Sequence, residues 1–339
     1  MTARNQTVRS REVRLASRPV GEPADANFEL ATVDVGPAGE GEILVKNTLM
    51  SVEPYMRGRM NDTKSYVPPF EIGKPLDGAA IGTVVASNAP EIPAGATVLH
   101  NSGWREYAVV PAKAARAIDT SRVPADVYLG ALGGPGFTAW VGLRIIAEVK
   151  AGETIFVSGA AGAVGSMAVQ LAKRWGLRVI GSASSPEKAR AVREEFGADA
   201  AFDYHDGPTK QLRELAPDGI DVYFDNVGGE QLEAAIFATR TFARIVMCGA
   251  VSQYNAASLP PGPRNLALAI GRRLRLQGFI VIDHFGRRDE FIAEVAPLIA
   301  SGEIKSQSTF SDGLENAPAA LMNILRPNTN IGKAVVRLG

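Results

Sequence analysis

The spacing of apolar positions changes character part-way along this chain. Up to about residue 128 the apolar residues come in short runs that suit strands: EILVKN (42–47), AAIGTVVA (79–86), ATVLH (96–100) and REYAVV (105–110). Turn-forming stretches such as PAGEGE (37–42) and EIPAGA (91–96) separate them, and REVRLAS (11–17) alternates charged and apolar residues like an edge strand. This pattern predicts an antiparallel, barrel-like β domain. From about residue 129, strand-length apolar runs alternate with segments of helical period. The predicted strands are TIFVS (154–158), RVIGS (178–182), AAFDY (200–204), DVYFDN (221–226), RIVMCG (244–249) and LQGFIVI (276–282). After the first of them, Val164, Met167, Ala168, Leu171, Ala172 and Trp175 fall on one helical stripe. Strands alternating with helices predict a doubly wound, mostly parallel sheet. Residues 303–339 return to strand, helix and strand, and periodicity alone leaves open which domain they join.

The junction after the first parallel strand reads VSGAAGAVGS (157–166), with Gly159, Gly162 and Gly165 at every third position. A glycine turn between strand and helix lets backbone amides approach a pyrophosphate with no side chain in the way. Ala160 stands at the first glycine of the usual G-x-G-x-x-G. The second strand then bears on which nucleotide is held. A site for NAD places an acid about twenty residues beyond the glycines, on the ribose 2′-hydroxyl. Here the strand runs into ASSPEKAR (183–190), with Ser184, Ser185 and Lys188 and no acid at its end. Hydroxyls, a lysine and a helix started by Pro186 suit a 2′-phosphate, so NADP(H) is expected over NAD(H).

Composition removes several other classes. The 339 residues are enough for two domains, and 36 basic residues balance 36 acidic ones; the nearest thing to a basic stripe, Arg272, Arg273 and Arg275 followed by Arg287 and Arg288, reads as helix-end cations or a solvated surface rather than a nucleic-acid face. Cys248 is the single cysteine, which excludes an intrachain disulfide and fits a reducing compartment. No apolar run is long enough to span a bilayer, and the arginine-rich first twenty residues lack a signal core, so a cytoplasmic protein is expected. The three histidines, His100, His205 and His284, and Cys248 are too scattered along the chain to suggest a metal site. Without a metal, a developing oxyanion needs other donors. Tyr55 in MSVEPYMRGRM, Tyr66 in SYVPPF and Tyr254 in GAVSQYN are the candidates.

Taken in order, SVEPYMRGRM, GGPGFTAWVGL (133–143), GAAGAVGS, YFDNVGGE (223–230), CGAVSQYN (248–255) and NIGKAVV (330–336) resemble the zinc-independent medium-chain dehydrogenases/reductases. The nearest branch is that of the prostaglandin, 2-alkenal (double-bond) and curcumin reductases. The resemblance runs from about residue 10 to the C-terminus. It implies a β-rich, GroES-like substrate domain of residues 1–128 with 303–339, and a Rossmann domain of residues 129–302. It implies homodimers and NADPH-dependent reduction of the C=C bond of α,β-unsaturated aldehydes and ketones. At matching positions Gly162, Ala163, Val164 and Gly165 would face the pyrophosphate, while Lys188 and Tyr204 would hold the 2′-phosphate beside Ser184. Asn226, Cys248, Gly249, Tyr254, Phe279, Ile280, Val281 and Asn330 would line the nicotinamide half. Two departures concern substrate selection: Gly133–Gly136 read G-G-P-G rather than G-M-P-G, and His284 stands where relatives often carry an aromatic residue. A quinone reductase of the same superfamily and a non-catalytic NADPH-binding protein are the alternative readings.

Overall fold

The computed structural model describes residues 7–258, 260–326 and 330–339. They fall into two compact units, one from the residues up to Leu129 with Ser308–Arg326 and Lys333–Gly339, the other from Gly130–Gln307 with residues 330–332. The strands, in chain order, are β1 (Val8–Leu15), β2 (Phe28–Val35), β3 (Glu42–Ser51), β4 (Ala80–Ser87), β5 (Thr97–His100), β6 (Tyr107–Pro111) and β7 (Arg116–Ala117). There follow β8 (Thr154–Val157), β9 (Arg178–Ala183), β10 (Ala200–Asp203), β11 (Ile220–Asp225), β12 (Thr239–Met247) and β13 (Arg275–Gly278), then β14 (Ser308–Asp312) and β15 (Lys333–Arg337).

In the first unit, β3 is the organising strand. It pairs along one edge with β4, and its other edge is shared, the first half by β6 and the second by β15. The sheet continues through β4 to β5 and β7, and through β15 to β14. Alternation does the work expected of it: Ile43, Val45, Val84, Val98, Ala108 and Val110 point to one side and form a fully enclosed cluster. A second ribbon pairs β1 with β2. β2 carries no fully buried residue, and with acids at Glu29 and Asp34 it lacks the apolar run that marks the other strands.

The second unit holds a six-stranded, wholly parallel sheet in the order β10-β9-β8-β11-β12-β13. Counted from its own first strand this is 3-2-1-4-5-6, the doubly wound order whose reversal lies beside β8 and β11. Phe156, Ile180, Tyr223 and Ile245 stand in one row across the sheet, and Phe156 stacks on Tyr223 at 4.9 Å. Burying each of these large side chains contributes roughly 1.5–3 kcal/mol. β13 is shorter than the apolar run 276–282 suggests. Its partner β12 ends at Met247, opposite Gly278, so no ladder remains for Phe279 onward, and the chain turns into a 3₁₀ segment over Val281–Arg287.

His100 closes β5 as a buried neutral ring. One ring nitrogen meets Asn47 at 2.9 Å and the other accepts the Ser102 amide at 3.1 Å. Burial pushes its pKa from 6.5 down to about 4, with Arg105 adding to the fall. An unfolded chain takes up this proton near pH 6.5, so between pH 6.5 and 4 the folded state binds fewer protons and stability drops as the solution is acidified. The loss should reach about 3 kcal/mol at pH 4. Melting temperatures between pH 7 and 4.5 should therefore fall less steeply for His100→Gln than for the parent. Equal slopes would contradict the assignment.

Candidate functional site

The site is built where β8 gives way to helix Ala163–Arg174. Gly159 turns the chain with φ +58°, and Gly162 enters the helix in extended conformation with no side chain capping it and no acid in the first turn. The leading amides of this helix thus keep their donors, and the helix dipole favours a negative group in front of them. Gly165 answers a different need. A Cβ there would lie 2.2 Å from the Gly159 carbonyl oxygen, so only glycine allows the helix to sit this close to the strand. Ala160 is accommodated because Gly181 faces it: a Cβ on Gly181 would come within 2.9 Å of the Ala160 methyl. On the outer side the Gly332 amide donates to the Ala161 carbonyl at 2.7 Å, which sets Asn330 beside the turn.

Beneath the turn lies a polar hub that sequence reasoning missed. Asp225, 1% exposed, accepts four hydrogen bonds at one carboxylate oxygen: from the Tyr223 hydroxyl at 2.7 Å, the Gly228 and Val227 amides at 2.7 and 2.9 Å, and the Ser158 hydroxyl at 3.3 Å. Its carbonyl takes the Cys248 and Gly249 amides at 2.9 and 3.0 Å. Asn226 donates its side-chain amide to the Ser158 carbonyl at 2.7 Å. The hub therefore ties the ends of β8, β11 and β12 together and brings Asn226, Cys248 and Gly249 into one wall. Burial raises the Asp225 carboxyl above its usual range, against the pull of these donors. Tyr254 folds back on the same wall, its hydroxyl 3.5 Å from the Ala250 amide. Phe279, Ile280 and Val281 follow the end of β13, half-buried, with the Phe279 ring near Gly142.

One strand over from the turn, β9 ends at Ala183 and the Ser185 hydroxyl caps the next helix, Pro186–Glu194, through the Lys188 amide. The Lys188 amine donates to the Ser184 hydroxyl at 3.3 Å. β10 lies alongside, with Asp203 in register with Ala183, so Tyr204 emerges next to Ser184. Ser184, Lys188 and Tyr204 are thus gathered at neighbouring strand ends.

Two of the three tyrosine candidates lie in the first unit. Tyr55 opens the short helix Tyr55–Arg59, half-buried. Burial raises its phenol further above 10, helped by the charge of Glu53, so it keeps its proton at any physiological pH. Tyr66 is 56% exposed and near enough to Tyr55 to weigh on that shift. The turn before Tyr55 is set by a buried ion pair that the sequence did not announce. Lys333, 3% exposed, donates to Glu53 at 3.1 Å and to the Val52 carbonyl at 3.2 Å, while Ser51 donates to the same Glu53 oxygen at 2.5 Å. Tyr254, in the second unit, has its pKa raised chiefly by burial and likewise remains a donor.

Residues 11–118 match a family model described as the N-terminal domain of oxidoreductase, and residues 163–301 one described as zinc-binding dehydrogenase. The chain is 41% identical to the NADPH-dependent curcumin reductase of Escherichia coli (strain K12), over 98% of each chain. It is 37% identical to the 2-alkenal reductase (NADP(+)-dependent) of Nicotiana tabacum, again over 98% of each. The chain belongs to the medium-chain dehydrogenase/reductase family. The crystal structure of CurA from Vibrio vulnificus in complex with NADPH aligns with this medium-chain reductase at a TM-score of 0.92 and 40% identity, covering 97% of this chain and 99% of that one. Although one matching family model carries zinc in its description, the described residues of this reductase gather no three His, Cys, Asp or Glu side chains suited to a metal. No helix among them is long and apolar enough to cross a membrane.

The geometry makes two statements about this reductase that can be checked. Burial, with Asp225 beside it, pushes the Cys248 thiol up to about 12. Its thiolate fraction at pH 7.5 should be smaller than one in a thousand. Iodoacetamide should leave Cys248 unmodified in the native protein and label it after denaturation, as read by mass spectrometry. Gly165→Ala should cost about 1–3 kcal/mol, the range for forced overpacking, in urea unfolding. An unchanged midpoint would contradict the close approach.

Proposed function

We propose that this chain is an NADPH-dependent oxidoreductase that reduces the C=C bond of α,β-unsaturated aldehydes and ketones. The observation that carries the reading is the pairing, on neighbouring strand ends, of an uncapped glycine turn with Ser184, Lys188 and Tyr204. A glycine turn of this shape suits the pyrophosphate of a dinucleotide, and a lysine with two hydroxyls suits a 2′-phosphate. The names of the curcumin and 2-alkenal reductases to which the chain is similar support the reaction.

In this reading Gly162, Ala163, Val164 and Gly165 face the pyrophosphate, with the amides of Ala163, Val164 and Gly165 as donors while that of Gly162 closes the turn on Gly159, and Ser184, Lys188 and Tyr204 hold the 2′-phosphate. Asn226, Cys248, Gly249, Phe279, Ile280, Val281, Asn330 and Tyr254 line the nicotinamide half. When bound, NADPH supplies a hydride for the β-carbon of the substrate. Charge then gathers on the substrate oxygen, and a phenol donating to it stabilises only that charged state, which lowers the barrier rather than tightening ground-state binding. Tyr254 is assigned this donation first, with Tyr55 and Tyr66 on the substrate side. The tyrosines suit the role because burial keeps Tyr55 and Tyr254 protonated. The α-carbon takes a proton from solvent or from one of these hydroxyls, which completes addition of two hydrogens across the double bond. We assign the substrate half to the first unit, the cofactor half to the second, with residues 303–307 and 330–332 on the cofactor side rather than in the substrate half as the resemblance implied, and the protein to the cytoplasm.

We also propose a homodimer. β13 forms one of the two edges of the parallel sheet, and Leu266, Ile270, Ile282 and Phe285 nearby are about half or more exposed. An unpaired edge beside apolar side chains favours pairing with a second copy. Light scattering should give twice the 35.9 kDa of one chain; a value for one chain refutes this.

Turnover tests the reading as a whole. With a 2-alkenal, Lys188→Ala should raise KM for NADPH on the order of tenfold while leaving kcat nearly unchanged. Tyr254→Phe should lower kcat on the order of a hundredfold, the usual loss for one oxyanion donor. A parent enzyme that oxidises NADPH with quinones and not with alkenals or enones would move it to the quinone reductases. Cofactor binding without turnover on any of them would make it a binding protein.

A further inference from the structure

An acid is absent from the end of β9, yet one stands close by on the neighbouring strand. Asp203 ends β10 in register with Ala183, and adjacent strands lie about 4.8 Å apart. Its side chain is only 13% exposed. A carboxylate in this part of a dinucleotide fold suits a ribose 2′-hydroxyl and repels a 2′-phosphate. Glu187, in the first turn of the helix after β9, feels the charge of Arg190 and, more weakly, that of Asp203. Beside Asp203 and Glu187 the site offers the Lys188 amine, with Arg190 near Glu187.

The Asp203 carboxylate, however, is engaged. The same oxygen meets the His205 ring nitrogen Nδ1 at 2.6 Å and the His205 amide at 3.1 Å. A carboxylate at that distance only accepts, so Nδ1 carries the hydrogen. The imidazole is held from a second side by Tyr204, whose ring centroid is 4.1 Å away at an interplanar angle of 31°. His205 itself is 54% exposed, so the pair sits at the open side of the strand ends.

We propose that the hydrogen-bonded Asp203–His205 pair is a clasp that makes this site selective for a 2′-phosphorylated nucleotide. His205 occupies, through its Nδ1–H and its amide, the carboxylate oxygen that would otherwise accept from a 2′-hydroxyl, and it packs against the Tyr204 ring beside Ser184 and Lys188. The clasp rests on the NADPH reading above and adds two residues to it. It accounts for a preference for phosphate at a place where a carboxylate stands beside the lysine.

Dissociation constants for NADPH and NADH, measured by calorimetry on the whole chain, test the clasp without any need for turnover. His205→Ala exposes the Asp203 charge and should weaken NADPH on the order of tenfold, the loss expected for a charge-assisted contact, with NADH changed by less than about twofold. Removing that charge as well, in His205→Ala combined with Asp203→Asn, should bring NADPH back to within about threefold of the parent. Both substitutions lie at the surface end of the strand, and thermal melts confirm that the variants are folded. If His205→Ala binds NADPH as the parent does, or if the double variant stays as weak as the single one, the clasp is wrong while the NADPH reading stands. If the parent itself fails to bind NADPH, the reading beneath it falls and the clasp falls with it.

Discussion

The carbonyl oxygen of Gly159 occupies the space that any side chain at Gly165 would need. That single close approach lets the helix Ala163–Arg174 lie tight against β8 with its leading amides uncovered. The parallel sheet supplies the rest of the constraint. Because its order reverses beside β8, the ends of β8 and β11 are free of crossing connections, and the glycine turn sits at that opening. Asp225 then locks the opening from below, since one buried carboxylate oxygen collects donors from Ser158 and from Tyr223–Gly228 while its backbone carbonyl takes the Cys248 and Gly249 amides. A buried acid with four donors costs less than a bare one, and it fixes backbone that would otherwise be free to rearrange.

Electrostatics sorts the side chains around this frame. Groups that would have to donate to an oxyanion, Tyr55 and Tyr254, sit where burial holds them neutral and protonated. Cys248, in the wall beside Asp225, is held as a thiol by the same surroundings. The cation expected at a phosphate, Lys188, stands at the end of a strand and beside a hydroxyl. Within the second unit, the neutral Tyr254 and Cys248 at the wall and the positive Lys188 one strand away make a site polarised along the direction in which a dinucleotide would lie.

Much of this was legible in the sequence, and the reason is local chemistry. The glycine turn, the strand before it and the helical stripe after it depend on residues within twenty positions, so spacing reveals them. The absence of an acid after RVIGS was equally readable. What spacing could not show is register. Asp203 comes twenty residues after Ala183 in the chain and lies beside it only because β9 and β10 pair in parallel. The hub of Ser158, Tyr223 and Asp225 likewise joins positions more than sixty residues apart. β2 escaped notice because a two-stranded ribbon buries none of its residues fully and leaves no apolar run. β13 was read too long because the apolar run 276–282 outlasts the ladder, which ends where β12 ends.

Hydride transfer from NADPH to the β-carbon of a conjugated carbonyl is the step on which the proposed function turns. The most direct measurement uses NADPH carrying deuterium at nicotinamide C4 with a 2-alkenal, followed by deuterium NMR of the product. A saturated aldehyde with its deuterium at the β-carbon is the expected result. Deuterium at the carbonyl carbon of an unsaturated alcohol would contradict the account, because the enzyme would then reduce C=O rather than C=C.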